Sequence, residues 1–243
     1  MPAKLYVVHG SHPCMTVARA LELKGIPYKQ VELPELVHIA HQRLRFGGRS
    51  VPSVRFEDGS KALGSRPILR LLDARVPDPP LLPDDPEQRA RVLELEEWGD
   101  EFQGVPRRLI FWGLQREPSA FPSYTEGSRW RLPAPMYRVA GPPVARMVMG
   151  VHGASDETTR ADIEALPGHL ERIERALADG VIGSEQPNAA DLQIAPSVGL
   201  LLTLEDVRPL VERGCAADWA RGLFPAIPGK LPAGTFPAGR VPV

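Results

Sequence analysis

The sequence predicts an α+β N-terminal domain, a mixed four-stranded sheet with helices, followed by an all-α helical-bundle domain. Three observations predict it. Residues 1–75 alternate short β-branched runs with helically spaced apolar residues, residues 76–86 carry Pro77, Pro79, Pro80, Pro83 and Pro86, and apolar residues over 87–222 keep helical spacing. A segment so rich in proline is neither helix nor central strand, so 76–86 reads as a stiff interdomain linker.

The elements follow in order. Leu5 to Val8 is a short buried strand, and from Cys14 to Lys24 the residues Val17, Ala18, Ala20, Leu21 and Leu23 mark a helix that Gly25 and Pro27 stop. Tyr28 to Leu33 is a second strand, and Glu35 to Arg45 is a polar helix or irregular segment closed by Gly47-Gly48. Val51 to Phe56 and Lys61 to Leu63 form a hairpin about Asp58-Gly59, antiparallel because the connection is short, and Pro67 to Leu72 opens a helix. Beyond the linker come helices over Glu87 to Gln103, Met136 to Val151, Glu157 to Ala178 and Ala189 to Leu202, with a broken aromatic region reaching Arg131. Residues 223–243 carry regularly interleaved prolines and glycines and read as an extended tail, lying on the surface or partly disordered.

Bulk properties narrow the function. A chain of 243 residues that is 43% hydrophobic has a real core, and a net charge of −1 gives no reason to expect nucleic acid or an anionic membrane as partner. Two distant cysteines, Cys14 and Cys215, exclude a disulfide framework and suit a reducing cytoplasm. The N-terminus lacks the apolar run of a signal peptide, and no stretch approaches the roughly 18 apolar residues of a membrane span. His38 and His41 are three apart, without a third ligand nearby, so no metal is expected.

The chemistry is expected where the first strand gives way to the first helix, at Gly10-Ser11-His12-Pro13-Cys14. Amide groups at a helix start and the positive end of the helix dipole favour an anion and acidify a nearby thiol. Ser11 and Cys14 are the two side chains there that can handle sulfur. Serine is also a favoured helix cap, and cysteine is commonly buried.

Four motifs in the right order resemble the cytosolic glutathione transferase superfamily over roughly residues 4–210. They are the run from Ser11 through Tyr28, the Val51-Pro52 pair before an apolar strand, Leu63-Gly64-Ser65-Arg66-Pro67-Ile68, and Gly183-Ser184-Glu185-Gln186-Pro187-Asn188-Ala189-Ala190-Asp191-Leu192. The resemblance implies a thioredoxin-like N-terminal domain over 1–75, the linker 76–86, a helical domain over 87–222 and the tail 223–243. It implies a cytoplasmic homodimer that activates glutathione, or another small thiol, and transfers it to a hydrophobic electrophile, without metal, nucleic acid or membrane.

Family spacing puts Ser11 at the catalytic position, with Cys14 where a dithiol oxidoreductase keeps its second cysteine. The resemblance also assigns glutathione contacts to Ser11, His12, Val51, Pro52, Ser65 and Arg66. In it the Val51-Pro52 bond is cis, Val51 offers its backbone to the cysteinyl part of glutathione, and Ser65 receives the γ-glutamyl carboxylate. Gly64 departs from the pattern, because relatives usually carry a carboxylate or amide there for the glutathione amino group. The acceptor site is expected between the domains, with Arg107, Arg108, Phe111 and Trp112 as walls and Tyr124, Trp130 and Tyr137 as cover. Two other readings stand beside this one: a Cys14-dependent thiol–disulfide oxidoreductase or thioltransferase, and a non-enzymatic ligand-binding or interaction protein with a degenerate glutathione site. Asn188 and Asp191 have the spacing of a reciprocal helix cap and a structural role.

Overall fold

The computed structural model of the chain describes residues 2–237. Its elements run β1 (Ala3–Val7), α1 (His12–Leu23), β2 (Tyr28–Glu32), α2 (Val37–Phe46), β3 (Ser53–Arg55), β4 (Lys61–Leu63) and α3 (Ser65–Arg75). Helices α4 (Pro86–Phe102), α5 (Gly104–Arg116), α6 (Phe121–Tyr124), α7 (Ala134–His152), α8 (Asp156–Ala178), α9 (Ala189–Leu201), α10 (Arg208–Val211) and α11 (Ala216–Leu223) follow, with a 3₁₀ turn over Pro118–Ala120. The chain forms two compact units, one of residues 1–99 with 182–196, the other of 100–181 with 197–243.

In the first unit a four-stranded sheet has the order β2-β1-β3-β4. The β1–β2 pair is parallel, as a helical crossover requires, and β3 is antiparallel to both β1 and β4. The apolar side chains Leu5, Val7, Val17, Leu21, Val54, Ile68, Leu69 and Leu72 are all at most 2% exposed and make the core between the sheet and helices α1 and α3. Residues 76–86 are tied into this unit: the buried Lys24 ammonium donates to Val76 O and Pro79 O at 2.6 and 2.5 Å, and Leu81 and Leu82 are buried. Asp73 accepts from both Lys24 Nζ and Leu81 N through the same oxygen, at 2.7 and 2.8 Å.

The start of α9 is capped as its sequence suggests. Asn188 Oδ1 accepts from Ala190 N and Asp191 N at 2.9 and 3.2 Å, while the Asp191 carboxylate accepts from Asn188 N and Gly183 N at 2.9 and 2.7 Å. Asp191 is fully buried, so the bonds are made away from water.

The second unit corrects two expectations. The broken aromatic region contains a regular helix, α5: Pro106 lies in its first turn, where its missing N–H costs nothing, and Val105, Leu109, Ile110, Trp112 and Leu114 bury one face. The tail does not merely lie on the surface. Its backbone bridges to Thr203 and Glu205, and Leu231 and Phe236 are buried, because a glycine at position 113 opens a place for the Leu231 side chain that any Cβ would fill. The last tail residues, 238–243, lie outside the described residues. Helix α8 begins with a capping box between Ser155 and Thr158, and its acidic first turn suits the helix dipole. Among the described residues no helix is long and apolar enough to cross a membrane, and no group of three histidine, cysteine or acidic side chains is placed to hold a metal.

Candidate functional site

Strand register assembles the site. Tyr6 near the C-terminal end of β1 pairs with Ser53, the first residue of β3, and Ser53 pairs with Leu63, the last of β4. The turn after β1, the residues before β3 and the residues after β4 therefore emerge at one end of the sheet. Pro52 and Gly64 are joined there by a backbone bond, and Ser11 follows the turn at the same end of β1.

Ser11 occupies the N-cap position of α1 with an extended backbone, yet its side chain makes no capping bond. The residue is half-buried. The helix start closes on Ser11 through backbone alone, with Cys14 N and Met15 N both donating to Ser11 O at 3.0 and 3.1 Å. These two amides are consumed within the turn, so the donors that the sequence suggested for an anion are fewer than a bare helix end would offer. Cys14 is 4% exposed and His12 is 2% exposed, while Ser11 is of intermediate exposure. Thr16, one turn further on, donates to Leu192 O at 2.7 Å and ties α1 to α9 within the same unit.

The Val51-Pro52 bond is cis. Val51 lies outside the strand ladder, which begins at Ser53, and Pro52 O accepts from Gly64 N at 2.9 Å. Gly64 explains itself: its φ of 89° and ψ of 147° belong to a region that is essentially glycine's alone. An added Cβ would meet only Pro67 at 3.5 Å, so the backbone angle and not crowding selects glycine. Gly64, not Ser65, is the cap of α3. Ser65 is buried as the first helical residue, where its hydroxyl accepts from Gln193 Nε2 at 3.1 Å. Sequence reasoning missed Gln193, because nothing local marks a glutamine 128 positions away as the partner of a serine.

Arg66 faces protein carboxylates. Its Nε is 3.6 Å from Glu96 Oε2 and its Nη1 3.6 Å from Glu97 Oε1, while Arg70 also pairs with Glu96. Burial pushes the Glu96 carboxyl up, against the pull of Arg70 and Arg66. On α2, His38 and His41 are held below the ordinary imidazole range, chiefly by burial, and His41 lies 4.8 Å from the Tyr6 ring.

The residues expected as an acceptor wall all lie on α5, and two of them are held by other protein groups. Arg108 forks onto Asp162 at 2.7 and 2.6 Å, and that hydrogen bonding holds its guanidinium above the usual arginine range. Trp112 donates to Asp156 at 2.8 Å, stacks on Phe236 with ring centroids 5.3 Å apart, and carries the Arg116 guanidinium 3.5 Å above its ring. Trp112 does line a hollow of about 330 Å³ with Arg116, Asp156, Arg160, Gly234, Thr235 and Pro237, but Arg107, Arg108 and Phe111 do not line it. Of the expected cover, two side chains are hydrogen-bonded within the protein. Tyr124 bonds Thr203 at 2.8 Å, and burial raises its pKa; Tyr137 stacks on Phe121 and accepts from Leu132 N; Trp130 is half-exposed.

Residues 5–80 match the family model described as the N-terminal domain of glutathione S-transferase. Among solved structures the chain is similar to a glutathione S-transferase from Rhodospirillum rubrum F11, with 20% identity over 91% of this chain and 87% of that one, at a TM-score of 0.62. It is similar to one from Methylobacterium radiotolerans JCM 2831 in complex with glutathione sulfonate, at 19% identity, 92% and 90% coverage and a TM-score of 0.61. FzlA from C. crescentus gives 19% identity, 92% and 88% coverage and a TM-score of 0.64. No curated protein matches the chain.

Proposed function

We propose, of a chain whose residues 5–80 are a glutathione S-transferase N-terminal domain and whose fold is that of the superfamily, that it ionises glutathione or a related thiol at Ser11 and transfers the sulfur to a hydrophobic electrophile. The observation that carries this is Ser11, partly exposed at the end of the sheet with a side chain not spent on capping α1, beside a buried Cys14. The relative solved with glutathione sulfonate supports glutathione as the thiol. A cytoplasmic homodimer is part of the same proposal.

The hydroxyl donates to the sulfur and favours thiolate over thiol. A thiol of pKa ~8.5 is about 3% ionised at neutral pH, and a fall of ~2 units makes it about 75% ionised. That shift is ~2.7 kcal/mol, within the roughly 1.5 to 3 kcal/mol of one charge-assisted hydrogen bond. The thiol proton passes to solvent, the sulfur lone pair forms the new carbon–sulfur bond, and the leaving group departs with its electron pair. Val51 would pair its backbone with the cysteinyl amide and Ser65 would receive the γ-glutamyl carboxylate, whereas Arg66 is already engaged by Glu96 and Glu97. The oxidoreductase reading needs a sulfur that a disulfide can reach, and burial of Cys14 counts against it.

The test is glutathione conjugation to an aryl halide across pH. Ser11→Ala should lower turnover at neutral pH by roughly 25-fold, the ratio of the two ionised fractions, and should recover as pH rises towards the free thiol's pKa. Cys14→Ser should leave turnover unchanged. Full activity of Ser11→Ala at neutral pH would remove Ser11 from the mechanism, and absence of both glutathione binding and turnover would favour the non-enzymatic reading.

A further inference from the structure

The hollow beside Trp112 is built from the second unit alone. Helix α5 supplies Trp112 and Arg116, helix α8 supplies Asp156 and Arg160, and the tail completes it with Pro237. Each helical pair is four residues apart, the spacing that sets two side chains on one face. Its volume of about 330 Å³ is that of a small-molecule site.

Three of its side chains hold one another. Asp156 Oδ1 accepts from Trp112 Nε1 at 2.8 Å and from Arg116 Nη2 at 2.6 Å, and the Arg116 guanidinium lies 3.5 Å from the centre of the indole. Phe236 stacks on Trp112, and its turn is pinned by Asp206, which accepts from Gly234 N and Phe236 N at 2.7 and 3.0 Å. A wall braced in this way is ordered before a ligand arrives. Arg160 is the exception. It is exposed, and among the described residues its guanidinium makes no hydrogen bond or ion pair, although Asp156, Glu157 and Glu164 all stand within four residues of it.

Donors therefore outnumber acceptors. Arg116 spends one bond on Asp156 and one on Trp112 O, at 3.3 Å, and Arg160 spends none, out of the five N–H groups that each guanidinium carries. Charge sets the valence of what would answer them. Two guanidiniums against one carboxylate leave the lining at +1, which a monoanion neutralises and a dianion overshoots beside Asp156. A carboxylate fits a guanidinium fork, while Pro237 and Trp112 offer apolar surface to the body that carries it. We propose that this hollow is a binding site for a small organic monocarboxylate, with Arg160 forking onto the carboxylate and Arg116 beside it. The proposal does not rest on the thiol chemistry, whose residues belong to the first unit.

Isothermal titration of the full chain with benzoate tests it, with benzamide as the neutral isostere and inorganic phosphate, at mildly alkaline pH, as the dianion. Benzoate should bind saturably, and more tightly than either of the others. Arg160→Gln should weaken it by roughly 10- to 100-fold, the worth of one charge-assisted hydrogen bond. Arg160→Lys keeps the charge without the fork and should fall between. Arg175→Gln, exposed on α8 and outside the hollow, should bind as the parent does. Position 160 is exposed, and an unchanged circular dichroism spectrum will confirm that its variants fold. Benzoate bound no better than benzamide overturns the proposal, as does benzoate binding that Arg160→Gln leaves unchanged. Tighter binding of phosphate would overturn it by assigning the hollow to a dianion, and equal weakening by Arg175→Gln by tracing the effect to overall charge.

Discussion

Replacing Asp191 by alanine separates a structural role from a catalytic one with a magnitude the geometry supplies. The carboxylate accepts two backbone amides, Gly183 N at 2.7 Å and Asn188 N at 2.9 Å, from a position with no solvent exposure. Loss of an ordinary exposed helix cap costs roughly 0.5 to 2 kcal/mol, because water replaces the lost acceptor. Here two charge-assisted bonds of about 1.5 to 3 kcal/mol each vanish together, so the loss should be about 3 kcal/mol or more. At roughly 2 to 4 °C per kcal/mol for a protein of this size, the melting temperature should fall by about 6 to 12 °C or more. Asp191→Asn keeps an acceptor for one of the two amides and should lose about half as much. Thermal and urea unfolding followed by circular dichroism measure both variants, with conjugation assayed well below the transition. An Asp191→Ala protein that melts within about 2 °C of the parent but has lost its activity would refute the structural assignment.

Three further outcomes follow from the same physics. Lys24→Met strands Asp73 and two carbonyls around a side chain with no exposure, and should cost about 3 to 5 kcal/mol in urea unfolding; a loss below ~1 kcal/mol would contradict the bonding described. Gly64→Gln, which supplies the amide that relatives carry, should lower stability by about 1 to 3 kcal/mol through its positive φ, and unchanged stability would show that the backbone there relaxes readily. His38, His41 and His169 all have folded pKa values lowered chiefly by burial, so the unfolded chain takes up their protons first on acidification. Stability should therefore fall as pH drops through the unfolded histidine value of ~6.5, and His38→Gln with His169→Gln should flatten the melting curve against pH in that window.

Much of the first unit was legible because its signals are local. Gly25 and Pro27 end α1, Asp58-Gly59 sets the hairpin, and the Asn188–Asp191 spacing is a cap whose partners lie within eight residues. What escaped depends on distant partners or on backbone angles. The α5 helix hid behind Pro106 and a run of aromatics that carry weak helical preference. The partners of Arg108 and Trp112 were invisible, because Asp162 lies 54 residues on from the one and Asp156 44 residues on from the other. Gly64 read as a side chain lost, and its positive φ is a second reason for glycine, one that lies in the backbone and not in the sequence pattern.

The hydrogen bond from Gln193 to Ser65 carries a consequence of direction. A hydroxyl that accepts from one side has its own hydrogen to give on the other, so the Gln193 amide turns Ser65 into a donor before any ligand arrives. Position 193 therefore governs Ser65 from 128 residues away: Gln193→Ala removes the donor and leaves a buried hydroxyl to find another partner.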